Sequence, residues 1–219
     1  MSETYREPVA RLLTLGHPHR GNQAPSEWLD YRGLGLAAEH VPELARMALD
    51  QDLHEADAES AEVWAPLHAW RALGQLRAES AVEPLLQLLD RIDEYGNDWA
   101  QEDLPQVFGL IGPAAMPELR GFLADAKQGE WARIAAGGGL AAIVGRCPES
   151  REEAAGILTD QLRHFGEQER TVNAYLVSLL CDLKAVESAA VIEQAFAAGA
   201  VDLSVQGDWE EAQIRLGLI

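Results

Sequence analysis

The chain repeats one short pattern along most of its length, and this repetition constrains the fold more than any other feature. The clearest copies are 41–50 (VPELARMALD) and 116–125 (MPELRGFLAD). The segment 82–90 (VEPLLQLLD) is a third copy, with its proline moved by one place. Weaker copies lie at 150–164 and 187–198, so the copies are spaced by about 30 to 40 residues. A period of this length is typical of stacked helix pairs.

Tryptophan recurs in step with this pattern, at intervals of about 32 to 36 residues: Trp28, Trp64, Trp99 and Trp131. Each tryptophan opens a stretch that predicts the first helix of a pair, and the proline-bearing segment predicts the second helix. The composition favours helices, because it is rich in Ala, Leu, Glu, Gln and Arg and lacks alternating β-branched runs.

Local signals predict where several helices begin. Pro42 and Pro117 suit the first helical turn, where a missing N–H costs nothing. The segments 80–83 and 150–153 fit capping boxes, in which Ser and Glu satisfy free backbone donors reciprocally. Three consecutive glycines at 137–139 interrupt a helical pattern at a cost of about 1 kcal/mol each. They predict a kink or a close approach between helices.

The segment 64–76 (WAPLHAWRALGQL), followed by AVEPLL at 81–86, resembles a HEAT repeat of the phycobilisome-lyase-like type. The resemblance covers most of residues 25–200 and is specific at the second repeat. It implies an armadillo-type α-α superhelix that presents a protein-interaction surface. It does not imply lyase chemistry, because many unrelated functions use the same architecture.

We therefore expect an all-α fold, an α-α superhelix of about five helix pairs, in a single domain over residues 1–219. An N-terminal helix is predicted around 8–15 and a C-terminal capping helix at 209–216. Between the repeats and that last helix, 201–205 alternates apolar and polar residues, which predicts either a short extended element or a plain loop.

The charge balance excludes several partners. The 17 basic residues stand against 36 acidic ones, a formal net charge of −19. This disfavours nucleic acid and anionic membrane surfaces, since binding to either requires Lys and Arg. The sequence contains no apolar run of about 20 residues, and its first residues do not fit a secretory signal. Because Cys147 and Cys181 are isolated, we expect no disulfide framework and a cytoplasmic protein.

Carboxylates concentrate at 50–62 and 90–103, where two repeat junctions fall. These runs form either an acidic ridge that attracts a basic partner or cations, or solvated loops that maintain solubility. The candidate partner-binding residues are three glutamates on second helices and three members of the later run: Glu43, Glu83, Glu118, Asp98, Glu102 and Asp103.

A different candidate site lies on the helix that follows the second tryptophan. Helical spacing places Trp64, His68 and Arg71 on one face, where they could hold an anionic or aromatic ligand. The alternative is structural, with Trp64 packing at the repeat junction and the other two meeting carboxylates. The two histidines at 17 and 19 lack a third ligand in sequence, so we predict no metal, and no other cofactor is indicated.

The leading hypothesis is a non-catalytic interaction scaffold that binds a protein with a basic surface. The sequence shows no coherent set of catalytic residues, although it leaves catalysis open. The alternative is a small-ligand-binding protein or enzyme, acting on a tetrapyrrole as the name of the resembling family suggests. A third hypothesis, an acidic inhibitor that mimics nucleic acid, rests on net charge alone.

Overall fold

The computed structural model describes residues 5–18, 24–95 and 98–219. Every regular element in these ranges is helical, which confirms the predicted all-α class. The α-helices of the described residues are α1 (Val41–Leu49), α2 (Gln51–His54), α3 (Ala65–Gln75), α4 (Val82–Tyr95), α5 (Asp98–Ile111), α6 (Met116–Ala124), α7 (Glu130–Arg146), α8 (Arg151–Leu162), α9 (Arg170–Asp182), α10 (Ala189–Ala197), α11 (Leu203–Gln206) and α12 (Trp209–Leu216).

The repeated sequence pattern corresponds to a repeated local structure, in which one turn of 3₁₀ helix leads directly into an α-helix. Five of these turns precede α1, α4, α6, α8 and α10, and they are Ala38–His40, Glu79–Ala81, Pro113–Ala115, Pro148–Ser150 and Val186–Ser188. A sixth, Glu62–Trp64, precedes α3. Pro42 and Pro117 lie in the first turns of α1 and α6, as predicted. Their missing N–H groups cost nothing there, because the first turn has no intrahelical acceptors.

The helices form two rows. Helices α3, α5, α7, α9 and α12 contact one another in this order, and we call them the first row. Helices α1, α4, α6, α8 and α10 likewise contact one another in order and form the second row. The rows pack on each other through contacts such as those of α1 with α3 and α6 with α7. Buried apolar side chains between them extend from Tyr5 to Leu216.

Three of the four tryptophans mark the start of a first-row helix, and Trp28 does not. Trp64 directly precedes α3, and Trp99 and Trp131 are the second residues of α5 and α7. Trp28 follows a short 3₁₀ turn, adopts an extended backbone and is buried against Arg71 of α3. Within the residues described after position 23, the first repeat therefore has no first helix of its own. The chain before it forms a 3₁₀ helix at Val9–Thr14, where an N-terminal helix was predicted.

Both predicted capping boxes are absent. Ser80 and Ser150 belong to the 3₁₀ turns that precede α4 and α8, and the Ser150 side chain makes no capping hydrogen bond. A capping box occurs instead at α12, where the Asp208 carboxylate accepts from the Glu211 backbone N–H at 3.0 Å. The Glu211 carboxylate accepts from the Asp208 N–H at 3.1 Å, so the predicted C-terminal helix begins with two satisfied donors.

The segment 201–205 is neither extended nor a plain loop, because it contains most of the short helix α11. The Asp202 side chain accepts hydrogen bonds from the N–H and hydroxyl of Ser204, at 2.9 and 2.7 Å. Gly207 ends the helix at a φ of 80°, a conformation that glycine adopts without strain. An N-cap aspartate thus overrides the alternating pattern.

Two of the three consecutive glycines of α7, Gly137 and Gly139, permit close approach between helices. A Cβ at Gly137 would lie 3.2 Å from Leu179 of α9, and one at Gly139 would lie 3.2 Å from Leu119 of α6. The side of α7 that faces its neighbours therefore tolerates little added volume. In the described part of the chain, no helix is both long and apolar enough to cross a bilayer.

Candidate functional site

A buried ion pair joins two helices of the first row. Arg71 of α3 donates from Nε to Asp103 Oδ2 at 2.6 Å and from its second terminal nitrogen to Oδ1 at 3.0 Å. The Trp70 indole N–H also donates to this carboxylate, at 3.2 Å, and the Arg71 guanidinium lies 4.7 Å from the Trp28 ring centroid. Only 1% of Arg71 and 3% of Asp103 is exposed. Asp103 therefore lies inside the protein and not on the acidic surface where we expected it.

His68 has both ring nitrogens occupied. Its Nε2 lies 2.8 Å from the Gly16 carbonyl oxygen, which can only accept, so Nε2 carries the proton. Its Nδ1 then accepts from the Tyr31 hydroxyl at 2.7 Å. Burial lowers the pKa of His68 and raises the pKa of Tyr31, so both groups are neutral at neutral pH. Together they fix the N-terminal segment on α3.

The predicted stripe of Trp64, His68 and Arg71 is divided between two cavities. Trp64 borders a cavity of about 280 Å³, together with Trp70 and Trp99. His68 and Arg71 border a separate cavity of about 360 Å³. The Trp64 ring packs edge-on against Trp99 at 5.6 Å, so it forms a junction between α3 and α5.

A groove of about 370 Å³ crosses α5, α7 and α9 on the first row. Its floor is apolar and its rim carries carboxylates. Among the residues that line it are Asp98, Glu102, Pro105, Ile134, Gly138 and Tyr175. Gly138 helps to keep the groove open, because it places no side chain opposite Pro105.

The rim of the groove is negatively charged. Asp98 and Glu102 are exposed, and neither forms an ion pair with another residue in the described ranges. None of the described residues that line the groove is basic. Arg133 of α7 is buried and bonds the Leu123 carbonyl and the Gln168 side chain, at 3.0 and 2.7 Å.

An aromatic pair stands beside the groove at the start of α7. Trp131 is 37% exposed and packs edge-on against Tyr175, with 5.9 Å between ring centroids. The Asp93 carboxylate fixes this end of α7, since it accepts from the N–H groups of Trp131 and Ala132 at 3.0 and 2.9 Å. Asp93 thus caps a helix that follows it by almost 40 residues, a role that the sequence analysis missed.

The three glutamates predicted on second helices differ in availability. Glu43 is half-buried, accepts from the Arg6 N–H at 2.9 Å and pairs with Arg46 at 3.6 Å. Glu83 and Glu118 are exposed on α4 and α6. These residues belong to the second row, so the structure does not bring them together with the acidic rim of the groove.

Buried polar residues near the starts of first-row helices form a recurring arrangement. The fourth residues of α3, α7 and α9 are His68, Arg133 and Asn173, and each bonds a carbonyl that precedes its helix. The donor-to-acceptor distances are 2.8, 3.0 and 3.0 Å. The shared position is evident only once the helix starts are known, and the contact with Gly16 gives His68 a structural role.

The structure offers no cluster of three or more metal-binding side chains within the residues that it describes. Of the two N-terminal histidines, His17 packs against Trp64 with 4.2 Å between ring centroids. His19 lies outside the described residues. The chain has two free cysteines, and burial raises the pKa of the Cys181 thiol, which disfavours a reactive thiolate.

Comparison of the chain with protein-family models, curated proteins and solved structures finds no match. The fold defines an all-helical protein built from two rows of helices, and its function must be inferred from its surface.

Proposed function

We propose that this protein is a non-catalytic interaction scaffold, a HEAT-like α-α superhelix that binds a protein with a basic surface. The groove across α5, α7 and α9 carries this proposal. It combines an apolar floor with exposed carboxylates that have no ion-pair partner among the described residues. Interfaces between proteins have this composition, with an apolar centre and a polar rim.

The repeated local structure supports the HEAT-like assignment. Each of five 3₁₀ turns leads into a second-row helix, and each row contains helices in chain order. Repeat proteins of this kind provide extended surfaces to partners, because each unit contributes residues to the same face.

The net charge supports the choice of a basic partner. A chain with 36 acidic and 17 basic residues repels anions and attracts cationic surfaces over a distance of about one Debye length. The same charge makes nucleic acid an unfavourable partner.

The buried ionisable groups support a structural role over a catalytic one. His68 is bonded to Tyr31 and Gly16, and Arg71 is bonded to Asp103. Hydrogen bonds of this kind between buried groups hold neighbouring segments of the chain together.

The alternative is small-ligand binding in the cavity bordered by Trp64, Trp70 and Trp99. Its volume of about 280 Å³ is just below the range for ligand pockets, roughly 300–1,000 Å³. This size suits a small aromatic molecule better than a tetrapyrrole. Titration with biliverdin tests the tetrapyrrole form of this alternative. Tryptophan quenching at micromolar ligand that is lost in Trp64→Leu supports it, and unchanged fluorescence counts against a tetrapyrrole ligand.

Affinity capture from a lysate of the source organism tests the scaffold proposal. We expect one stoichiometric basic protein at low salt, with less recovered as salt rises. An unrelated bait of similar net charge is the control. Charge reversal at Glu83 and Glu118 probes the second row, and reversal at Asp98 and Glu102 probes the groove. Recovery of the same proteins with both baits, or capture unaffected by either reversal, would contradict the proposal.

A further inference from the structure

We propose that the groove across α5, α7 and α9 binds a cationic amphipathic peptide segment, with its basic side chains held by Asp98 and Glu102. This inference rests on the proposed function and specifies where and what the scaffold binds. The partner segment carries arginine or lysine beside apolar residues, because the groove offers carboxylates beside an apolar floor.

The two carboxylates lie one helical turn apart. Residues four apart on a helix face the same side, so Asp98 and Glu102 project together from α5. Like charges at this spacing repel each other, and the described lining contains no cation to offset them. A guanidinium or ammonium group between them removes this repulsion and gains charge-assisted hydrogen bonds.

A proline inside α5 removes one helical hydrogen bond next to these carboxylates. Pro105 is inside α5 and has no N–H, so it cannot donate to the Gln101 carbonyl one turn earlier. Gln101 itself lines the groove. Pro105 therefore leaves the Gln101 carbonyl without its usual i+4 donor.

The floor provides the apolar half of the recognition surface. Pro105 and Ile134 approach from α5 and α7, Leu179 comes from α9, and Gly138 leaves the space between them unfilled. The volume of about 370 Å³ accommodates a few side chains and not a whole domain. Trp131 and Tyr175 beside the groove offer aromatic rings to a cation that extends beyond the carboxylates.

A synthetic 16-residue peptide tests the inference, with four Arg and four Leu at alternating three- and four-residue spacing in an Ala/Gln background. Its fluorescein anisotropy is titrated with the full chain at low and moderate salt. We expect saturable binding that weakens as salt rises. A second peptide with each Leu replaced by Gln has the same charge, and we expect it to bind at least about tenfold more weakly.

Charge variants locate the site. In Asp98→Lys/Glu102→Lys we expect at least a tenfold loss of affinity, and in the neutral Asp98→Asn/Glu102→Gln a smaller loss. The control is Glu152→Lys/Glu153→Lys, at exposed positions of α8, which changes the net charge by the same amount as Asp98→Lys/Glu102→Lys. We expect it to change the affinity for the peptide less than twofold. Equal weakening by the groove and α8 reversals would show general electrostatic attraction and overturn the inference.

A steric variant provides an independent test. Gly138→Leu fills the groove, whereas Gly145→Leu adds the same side chain at an exposed position of α7 with nothing within 4 Å of its Cβ. We expect loss of binding only for Gly138→Leu, with unchanged circular dichroism in both. Should Gly138→Leu unfold, the charge variants still decide the question.

The outcomes separate this inference from the proposed function. If a captured protein is lost on charge reversal at Glu83 and Glu118 but retained by the groove variants, the scaffold proposal stands and the groove inference is wrong. If neither peptide nor protein binds, both are wrong.

Discussion

Arg71 and Asp103 show how single buried residues join the repeats. Their side chains come from α3 and α5, and their two hydrogen bonds of 2.6 and 3.0 Å form a bidentate pair inside the first row. Removing one partner from such a pair leaves a buried charge without compensation, which is more harmful than removing both.

We predict that Asp103→Ala lowers the free energy of unfolding by about 3–5 kcal/mol, because Arg71 is then buried unpaired. The double variant Arg71→Met/Asp103→Leu should remain within about 2 kcal/mol of the original protein. Urea denaturation of Asp103→Ala, of the two matching single variants Arg71→Met and Asp103→Leu, and of the double variant measures this. If the losses in free energy of unfolding from the two single variants add up in the double variant, the account is contradicted. The control is Glu7→Gln in the exposed pair with Arg11, which should change the free energy of unfolding by no more than about 0.5 kcal/mol.

The pH dependence of stability reports on His68. Burial lowers its folded-state pKa below the ordinary value of 6.5, so the unfolded state binds more protons as pH falls through that value. The stability that neutral His68 provides is therefore present above about pH 6.5 and lost below it.

Urea denaturation should show that the original protein's free energy of unfolding exceeds that of His68→Gln by less at about pH 5.5 than at about pH 7.5. His54 also has a pKa lowered by burial, but it is present in both proteins and cancels. A difference that is constant with pH would contradict this assignment.

The sequence predicts the right residue types for these sites but not the surroundings in which they lie. Asp103 belongs to an acidic run, and only its contact with Arg71, 32 residues earlier in the chain, distinguishes it from exposed Asp98 and Glu102. Likewise Trp64, His68 and Arg71 share a helical spacing, but contacts with other segments direct them to different cavities. Long-range contacts of this kind leave no local signal in one sequence.

At the scale of helices, small residues set the spacing within the first row. Gly109 of α5 and Ala142 of α7 meet so closely that a Cβ at Gly109 would lie 3.0 Å from both the Cβ and the carbonyl oxygen of Ala142. The backbone oxygen cannot move aside without displacing α7. At Gly138, in contrast, a Cβ would meet Pro105 at 3.5 Å, an ordinary van der Waals distance.

We predict opposite effects of the same substitution at these two sites. Gly138→Ala should raise the free energy of unfolding by up to about 1 kcal/mol, because alanine has the higher helix propensity. Gly109→Ala should lower it by about 1–3 kcal/mol through overpacking. Thermal and urea denaturation of the two variants provide the measurement. Stabilisation by Gly109→Ala would show that α5 and α7 are packed less closely than the structure indicates.

The helices themselves could be predicted because their signals are local. Apolar periodicity and the prolines of α1 and α6 place most of them correctly. The predicted capping boxes at Ser80 and Ser150 are wrong, because a 3₁₀ turn holds each serine. The predicted helix at Trp28 is also absent, since that ring is buried against Arg71 in an extended segment. These are sites where tertiary contacts or turn geometry override the repeat pattern.

At the scale of the whole molecule, the two rows differ in what they offer a partner. The first row carries the groove, with its apolar floor, its two carboxylates and the Trp131–Tyr175 pair at its side. The second row offers exposed glutamates such as Glu83 and Glu118. A molecule with a net charge of −19 attracts basic surfaces generally, and the groove supplies the specific contacts.

Position-specific photocrosslinking in cells of the source organism tests this account most directly. A photoreactive phenylalanine analogue replaces Gln101 in the groove or, as the matched control, exposed Glu153 on α8 of the second row. The account predicts one discrete protein adduct from the Gln101 position, abolished by Asp98→Lys/Glu102→Lys, and none from the Glu153 position. An adduct only from Glu153, or equal adducts from both positions, would contradict it.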